Sequence, residues 1–140
     1  MTRRGVLLVA MAMAPLRADE AQEVWDLLTQ AASALSSGNS DEFLRVFDRS
    51  MPGYQTLAAN VAALLSQGDV QSSIEVLSDE GDSSRRSVEL DWFLQIISAE
   101  PGAGSTERRE KVQCRLERRG KRWLITALEP LSFFAPPAAR

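Results

Sequence analysis

From Ser87 to Ala99 the chain reads SVELDWFLQIISA. Val88, Leu90, Trp92, Leu94 and Ile96 fall on one parity, and Glu89, Asp91 and Gln95 on the other with Phe93 and Ile97. Successive side chains of a strand point to opposite faces, so this alternation predicts a long strand with one dry and one mostly wet face. The flanking segments keep the same period. Val70, Ser72, Ile74 and Val76 predict a strand before the turn Asp79-Glu80-Gly81-Asp82, and Val112, Cys114 and Leu116 mark the inward face of another over Glu107 to Arg119. Beyond Arg119-Gly120-Lys121, Trp123 to Leu128 forms a fourth strand. It is apolar on both parities, which predicts an interior position in the sheet.

Ahead of Gly68 the period is helical. Val24, Leu27, Leu28, Ala31 and Leu35 recur at spacings of three and four, predicting a helix from Glu20 to Ser37 with Asp19 as its cap and Gly38 as its stop. Asn39 with Glu42 three residues on makes a capping-box-like start for a short helix. This helix carries Phe43, Leu44 and Phe47 and must end near Ser50, because Pro52 disfavours helical geometry just before it. Tyr54, Leu57, Ala58, Val61, Leu64 and Leu65 form a third apolar stripe, closed by Gly68. At the other end Leu131, Phe133 and Phe134 are expected to fold back over a sheet edge, and Ala135 to Arg140, rich in Pro and Ala, to form a flexible tail.

The first 18 residues have a different character. MTRR, then GVLLVAMAMA, then PLRADEAQ is the basic, apolar and polar sequence of a secretory leader, with cleavage expected after Ala18. The apolar run is too short to span a bilayer of about 30 Å, and no Cys follows it for lipid attachment. Arg3-Arg4 also fits twin-arginine export. Either route predicts an extracytoplasmic protein, periplasmic or secreted, with no stable membrane anchor; the alternative for the segment is an N-terminal apolar helix of a cytosolic protein. The mature part, residues 19–134 and the tail 135–140, reads as one domain.

Composition narrows the chemistry. The 140-residue chain has a net charge of -3, and its leader holds Arg3, Arg4 and Arg17 without an acid, so the remainder is more acidic still. Such a balance makes the chain a poor candidate for non-specific nucleic-acid binding, which rests on phosphate neutralisation, and no nucleic-acid partner is expected. There is no His, which removes the commonest general base and every Ser-His-Asp arrangement. Cys114 is the only cysteine and sits on an apolar parity, where it reads as a small buried hydrophobe. No cofactor or metal is indicated. Asp79, Glu80 and Asp82 lack calcium-loop spacing and read as a solvated turn.

Three helices followed by a four-strand meander, with NSDEFLRVF after the first helix and RRGKRWLITALEPL at the end, resemble the nuclear transport factor 2-like superfamily, which includes SnoaL-like proteins and ketosteroid isomerases. The likeness covers Asp19 to Phe134. It implies an α+β, cystatin-like cone: three N-terminal helices packed on a strongly curved antiparallel sheet of about four long strands. The short strand usual after the second helix in that superfamily is barely visible in MPGYQ. The resemblance further implies a mouth that can hold a ligand and a tendency to form homodimers. It spans isomerases, cyclases, dehydratases and adaptors without chemistry, and the His-Asp pairs of the dehydratases cannot exist here.

A carboxylate in an apolar cone can serve as a general base, and Asp26, Asp48 and Glu129 are the acids nearest such a cavity. Each also has a plain structural role: Asp26 solvated, Asp48 paired with Arg45 or a neighbour, Glu129 at a strand end before Pro130. Trp25, Leu28, Tyr54 and Trp92 are the expected lining of a cavity for a small apolar ligand, with plain core packing as the alternative for the two tryptophans. Phe93 and Ile97, on the wet parity, nominate a dimer interface. The basic run from Arg108 to Arg122 is expected to pair across strands with acids such as Glu89 and Asp91. The expected function is an exported, non-catalytic protein that binds a small apolar ligand or a partner protein. An isomerase- or cyclase-like enzyme and an interaction module of a cell-envelope assembly are the alternatives.

Overall fold

A computed structural model of the chain describes residues 2–137, with side chains from residue 19 onward. The body of the proposed leader and the end of the tail therefore lie outside the residues whose side chains are described. Three helices come first: α1 (Thr2–Ser36), α2 (Ser40–Leu44) and α3 (Tyr54–Gln67). Four strands follow, β1 (Gly68–Gly81), β2 (Arg85–Ser98), β3 (Ser105–Arg119) and β4 (Arg122–Glu129), and a 3-10 turn, Leu131–Phe134, ends the described chain. The strands form one antiparallel sheet in the order β1-β2-β3-β4, curled around the helices. The architecture is the expected α+β cone.

The alternation in β2 sets the inner face. Val88, Leu90, Trp92, Leu94 and Ile96 are all buried, as are Val112, Cys114 and Leu116 beside them on β3. On the helices the buried stripe comprises Val24, Leu28, Ala31 and Leu35 of α1 and Leu57, Val61 and Leu64 of α3. Contrary to the expected start at Glu20, α1 is continuous from Thr2. A run rich in Ala, Leu and Met favours helix on propensity alone, and Asp19 becomes an internal residue of α1 in place of its cap.

The second helix starts as expected. The Asn39 side chain accepts a hydrogen bond from the Glu42 N–H at 3.0 Å and donates to Glu42 Oε2 at 3.3 Å. It stops at Leu44, several residues earlier than Pro52 requires. The chain then straightens to pair in parallel with β4: the Ile125 N–H donates to Val46 O at 2.8 Å and the Asp48 N–H to Ile125 O at 2.9 Å. Phe47 is thus the centre of a one-residue bridge and belongs to no helix. The extra strand segment lies here and not in MPGYQ, because a β edge that needs partners outweighs the weak propensity of one more helical turn.

The fourth strand corrects a second expectation. It is an edge strand of the sheet, laddered with β3 and met on its other side, among the described residues, by the single Phe47 bridge. Its apolar residues occupy both parities because a bulge interrupts it: Ile125 pairs with Leu116 and Ala127 with Arg115, leaving Thr126 as the additional residue. Trp123 and Ile125 face inward before the bulge and Leu128 after it, and all three are buried. A similar irregularity at Leu77 in β1 shifts the inward position to Asp79.

The centre of the cone is filled with rings. The Trp92 and Phe134 centroids lie 5.0 Å apart at 86°, Phe133 and Phe134 5.1 Å apart at 83°, and Phe43 sits 5.4 Å from Phe134 and 5.0 Å from Phe47. These are the edge-to-face and tilted geometries that ring quadrupoles favour. Trp92 Nε1 donates to Ser72 Oγ at 2.8 Å, so its one polar atom is satisfied. The terminal turn, expected over an edge, enters the core instead: Phe133 and Phe134 are essentially inaccessible. All fully buried side chains among the described residues are apolar. Phe134→Ala removes a ring that touches three others and should cost about 3–5 kcal/mol in urea unfolding; a loss below about 1 kcal/mol would show that the cluster closes up around the gap.

Candidate functional site

With the centre filled, a concavity remains at the mouth, between α1 and the β1–β2 hairpin. Its volume is about 460 Å³, and its lining includes Ala21, Trp25 and Leu28 from α1, Val76 and Asp79 from β1, and Val88 from β2. Helical spacing explains the first group, since residues three and four apart share a face. The β1 bulge explains the second. Val76 is the last inward residue before it, and Asp79, the register partner of Val88, is turned inward by it.

The floor is apolar and the rim is not. Trp25 is 48% exposed at the rim, and beside it Gln22 Nε2 donates to Asp26 Oδ1 at 2.8 Å. Asp79 Oδ1 accepts from Arg86 Nε at 2.8 Å, and Arg86 Nη1 donates to Asp82 O at 3.2 Å. The Asp79–Arg86 pair ties the cleft wall to the hairpin turn. Asp82 caps that turn by accepting from the Ser84 and Arg85 N–H groups at 2.8 and 2.9 Å, which holds its pKa below the ordinary value. On the neighbouring flank Glu23 Oε1 accepts from Arg118 Nη1 and Trp123 Nε1, both at 3.3 Å, with the Arg118 guanidinium 5.4 Å from the Trp123 ring centroid. This cluster pins α1 to the β3–β4 hairpin.

Of the four residues expected to line a cavity, the cleft brings together Trp25 and Leu28. Trp92 lies at the centre of the filled core, and Tyr54 packs half-buried against it from α3. Neither is among the cleft residues. Ala21, Val76, Asp79 and Val88 were not anticipated in this role. Extending the α1 stripe back two turns from Leu28 reaches Ala21, but Asp79 depends on a bulge that the alternation does not announce.

The three candidate acids lie apart. Asp26 is exposed on α1, and Glu129 is exposed at the end of β4. Asp48 follows the Phe47 bridge, and its partner is Arg119 at 2.8 Å, not Arg45. Its Oδ1 also accepts from the Ser50 N–H at 2.9 Å and the Ser50 hydroxyl at 2.8 Å. These bonds, with Arg119 behind them, hold its carboxyl below the usual carboxylate range, opposite to the elevation a general base at neutral pH requires. Among the described residues no cluster of acids and thiol could hold a metal. Burial pushes the Cys114 thiol up to about 12, so it is no nucleophile.

Phe93 and Ile97 occupy the outer face of β2. Phe93 is half-buried between Ser73 and Arg109 in register, and Ile97 is 38% exposed between Asp69 and Ser105. Around them the expected cross-strand charge pairing is made by Asp91, while Glu89 meets a neutral amide. Arg109 Nε meets Asp91 Oδ2 at 3.2 Å, and the Gln113 amide donates to Glu89.

No protein-family model matches the sequence, and no curated protein does. Solved structures match the fold. One is a conserved protein from Planctomyces limnophilus, 10% identical with a TM-score of 0.71 over 80% of this chain and 94% of that one. Another is a nuclear transport factor 2-like superfamily protein from Salmonella enterica, 11% identical with a TM-score of 0.65 over 80% and 89%. A third is a hexachlorocyclohexane dehydrochlorinase from Novosphingobium barchaimii, 15% identical with a TM-score of 0.64 over 80% and 85%. The chain has the nuclear transport factor 2-like fold. A fold of this kind hosts enzymes and other proteins alike, so the site must carry the functional argument.

The Asp48 geometry makes a pH prediction. Because its folded-state pKa is lowered, the stability it contributes is present above the ordinary carboxylate pKa and is lost as pH falls through the lowered value. Wild type should therefore exceed Asp48→Asn in urea midpoint by a constant margin above about pH 5, and the margin should shrink towards pH 2. A margin independent of pH would assign the effect to packing.

Proposed function

We propose that this chain is an exported, non-catalytic binding protein that holds a small apolar ligand in the cleft beneath Trp25. The observation that carries this reading is the contrast between the two concave regions. The cone centre is packed with aromatic rings and holds no buried acid, whereas the mouth keeps an open, largely apolar space of about 460 Å³. That volume lies within the range that encloses small organic ligands. The acid-base alternative has less support, since Asp48 is biased towards its ionised form at low pH and Asp26 and Glu129 stand in solvent.

N-phenyl-1-naphthylamine, a neutral apolar fluorophore, tests the site in the chain beginning at Asp19. Binding should be saturable, should weaken about 5- to 10-fold in Trp25→Ala, the share one aromatic contact supplies, and should vanish in Ala21→Trp, which fills the cleft. Unchanged binding by a folded Ala21→Trp variant would rule the cleft out.

Two further parts of the reading rest on the sequence and on the sheet surface. Residues 1–18 serve as a leader removed after Ala18. The outer sheet face, centred on Phe93, pairs two copies. On that face Glu75, Glu89 and Asp91 lie on β1 and β2, and Arg109, Lys111 and Arg115 lie on β3 together with Glu107 and Glu117, so the two copies meet through a mixed-charge rim around Phe93. The mature protein recovered from the extracytoplasmic fraction should begin at Asp19 and sediment as a dimer at tens of micromolar, with Phe93→Glu giving a monomer. A cytoplasmic chain with an intact N-terminus, or a monomeric wild type, would sink the corresponding part.

A further inference from the structure

Charge is distributed unevenly between the two sides of the molecule. From Ala18 to Leu44, and again from Ser50 to Ser84, the sequence holds acids but no Lys or Arg. These stretches supply the described part of α1, all of α2, α3 and β1, and with them the walls of the mouth cleft apart from Val88. Beyond the leader, most bases lie on β2, β3 and β4.

Two of those bases, Arg118 and Arg86, approach the cleft, and neither lines it. Arg118 is held on the neighbouring flank by Glu23 and the Trp123 ring. Arg86 holds Asp79, and the two side chains are only 12% and 18% exposed. This pair has a direction. Asp79 lines the mouth cleft, whereas Arg86 lines a separate depression with Arg85, Ser87 and Arg115. The cleft therefore meets the acid end of the pair. Arg86 Nε occupies Asp79 Oδ1, and Asp79 Oδ2 meets no hydrogen-bond donor among the described residues.

The rim adds to this bias. Asp26 Oδ1 accepts from the neutral Gln22 amide, and no base lies within ion-pair distance of Asp26 among the described residues. Beside it stands Trp25, half-exposed, and an indole is the side chain whose ring face attracts cations most strongly. An anion placed here would meet carboxylates. A cation would meet an unoccupied carboxylate oxygen and a ring. At a half-open rim such a charge keeps part of its water, so its desolvation is partial.

Resting on the reading of the cleft as an apolar binding site, we propose that its ligand is an organic amine, bound as the ammonium ion. The apolar body lies on Leu28, Val76 and Val88, the ammonium group donates to Asp79 Oδ2 beside Trp25, and Asp26 adds its field at the rim. Anionic amphiphiles of the same shape are rejected.

The probes are 1-naphthylmethylamine, 1-naphthylmethanol and 1-naphthoate, titrated into the full chain by calorimetry. They share one ring system and carry a positive, a neutral and a negative group near about pH 7. The amine should bind at least about 5-fold more tightly than the alcohol, and the carboxylate at least about 5-fold more weakly than the alcohol. Raising the salt from about 20 to about 500 mM should narrow the ratio of amine to alcohol, because the rim charges are screened. Asp26→Asn, at an exposed position, should lower amine affinity about 2-fold and leave the alcohol unchanged. Asp79→Asn should bring amine and alcohol together, and Ala21→Trp should abolish both. Equal affinity of amine and alcohol in wild type, tighter binding of the carboxylate than of the amine, or amine binding that survives Ala21→Trp would each overturn the proposal. In the first two cases, loss of alcohol binding in Ala21→Trp keeps the apolar cleft itself. Failure of all three probes and of N-phenyl-1-naphthylamine removes the cleft and this proposal together. The wild-type comparison and its salt dependence need no variant, so a loss of folding in Asp79→Asn does not blunt the test.

Discussion

The structure depends on the meeting of Trp92 with Phe134. Trp92 stands midway along β2 on the inner face, and its ring is met edge-on by a residue from the end of the chain. Phe43 of α2 and Phe133 complete the group, so the sheet, the shortest helix and the C-terminal turn share one set of ring contacts. Hydrophobic burial is not directional, but ring packing is, and here it decides which way the final turn folds. The centre is closed by it, and open space is left at the mouth.

Two irregularities in the strands place the rest. The bulge at Thr126 turns β4 so that Leu128 reaches the core, and the shift at Leu77 turns Asp79 towards the cleft. Bulges bend a strand and increase its twist, which a four-stranded sheet needs to wrap three helices. The exposed edges are partly guarded. Phe47 bridges to β4 at Ile125, and at β1 the Ser36 hydroxyl accepts from the Ser72 N–H at 3.0 Å.

Charge is kept to the periphery and works there as fastening. Glu23 holds Arg118 and Trp123, Asp48 holds Arg119, and Asp79 holds Arg86, each joining segments far apart in sequence or closing a hairpin. The exposed pairs contribute little individually, so they orient more than they stabilise, whereas Asp79–Arg86 is largely shielded from solvent. Arg108 and Arg122 instead donate to main-chain carbonyls, Phe133 O and Arg45 O, and so tie the C-terminal turn and the end of α2 to the sheet.

How much of this was legible in the sequence follows from what kind of interaction decided each feature. The inner face of β2, the buried parity of β3, the apolar stripes of α1 and α3 and the Asn39 cap are local: side-chain period and a three-residue hydrogen bond settle them, and they were read as they stand. The edge position of β4, the early end of α2 and the inward path of Phe133 and Phe134 were misread, because each is settled by a partner distant in the chain. Helical spacing alone put Trp25 and Leu28 on one face of α1, while no spacing put Asp79 beside them, since one additional residue at Leu77 reverses which face it joins. Periodicity determined which residues had to be buried. Only the tertiary structure decided which of them met, because ring geometry and strand edges select among partners that hydrophobicity alone treats as equal.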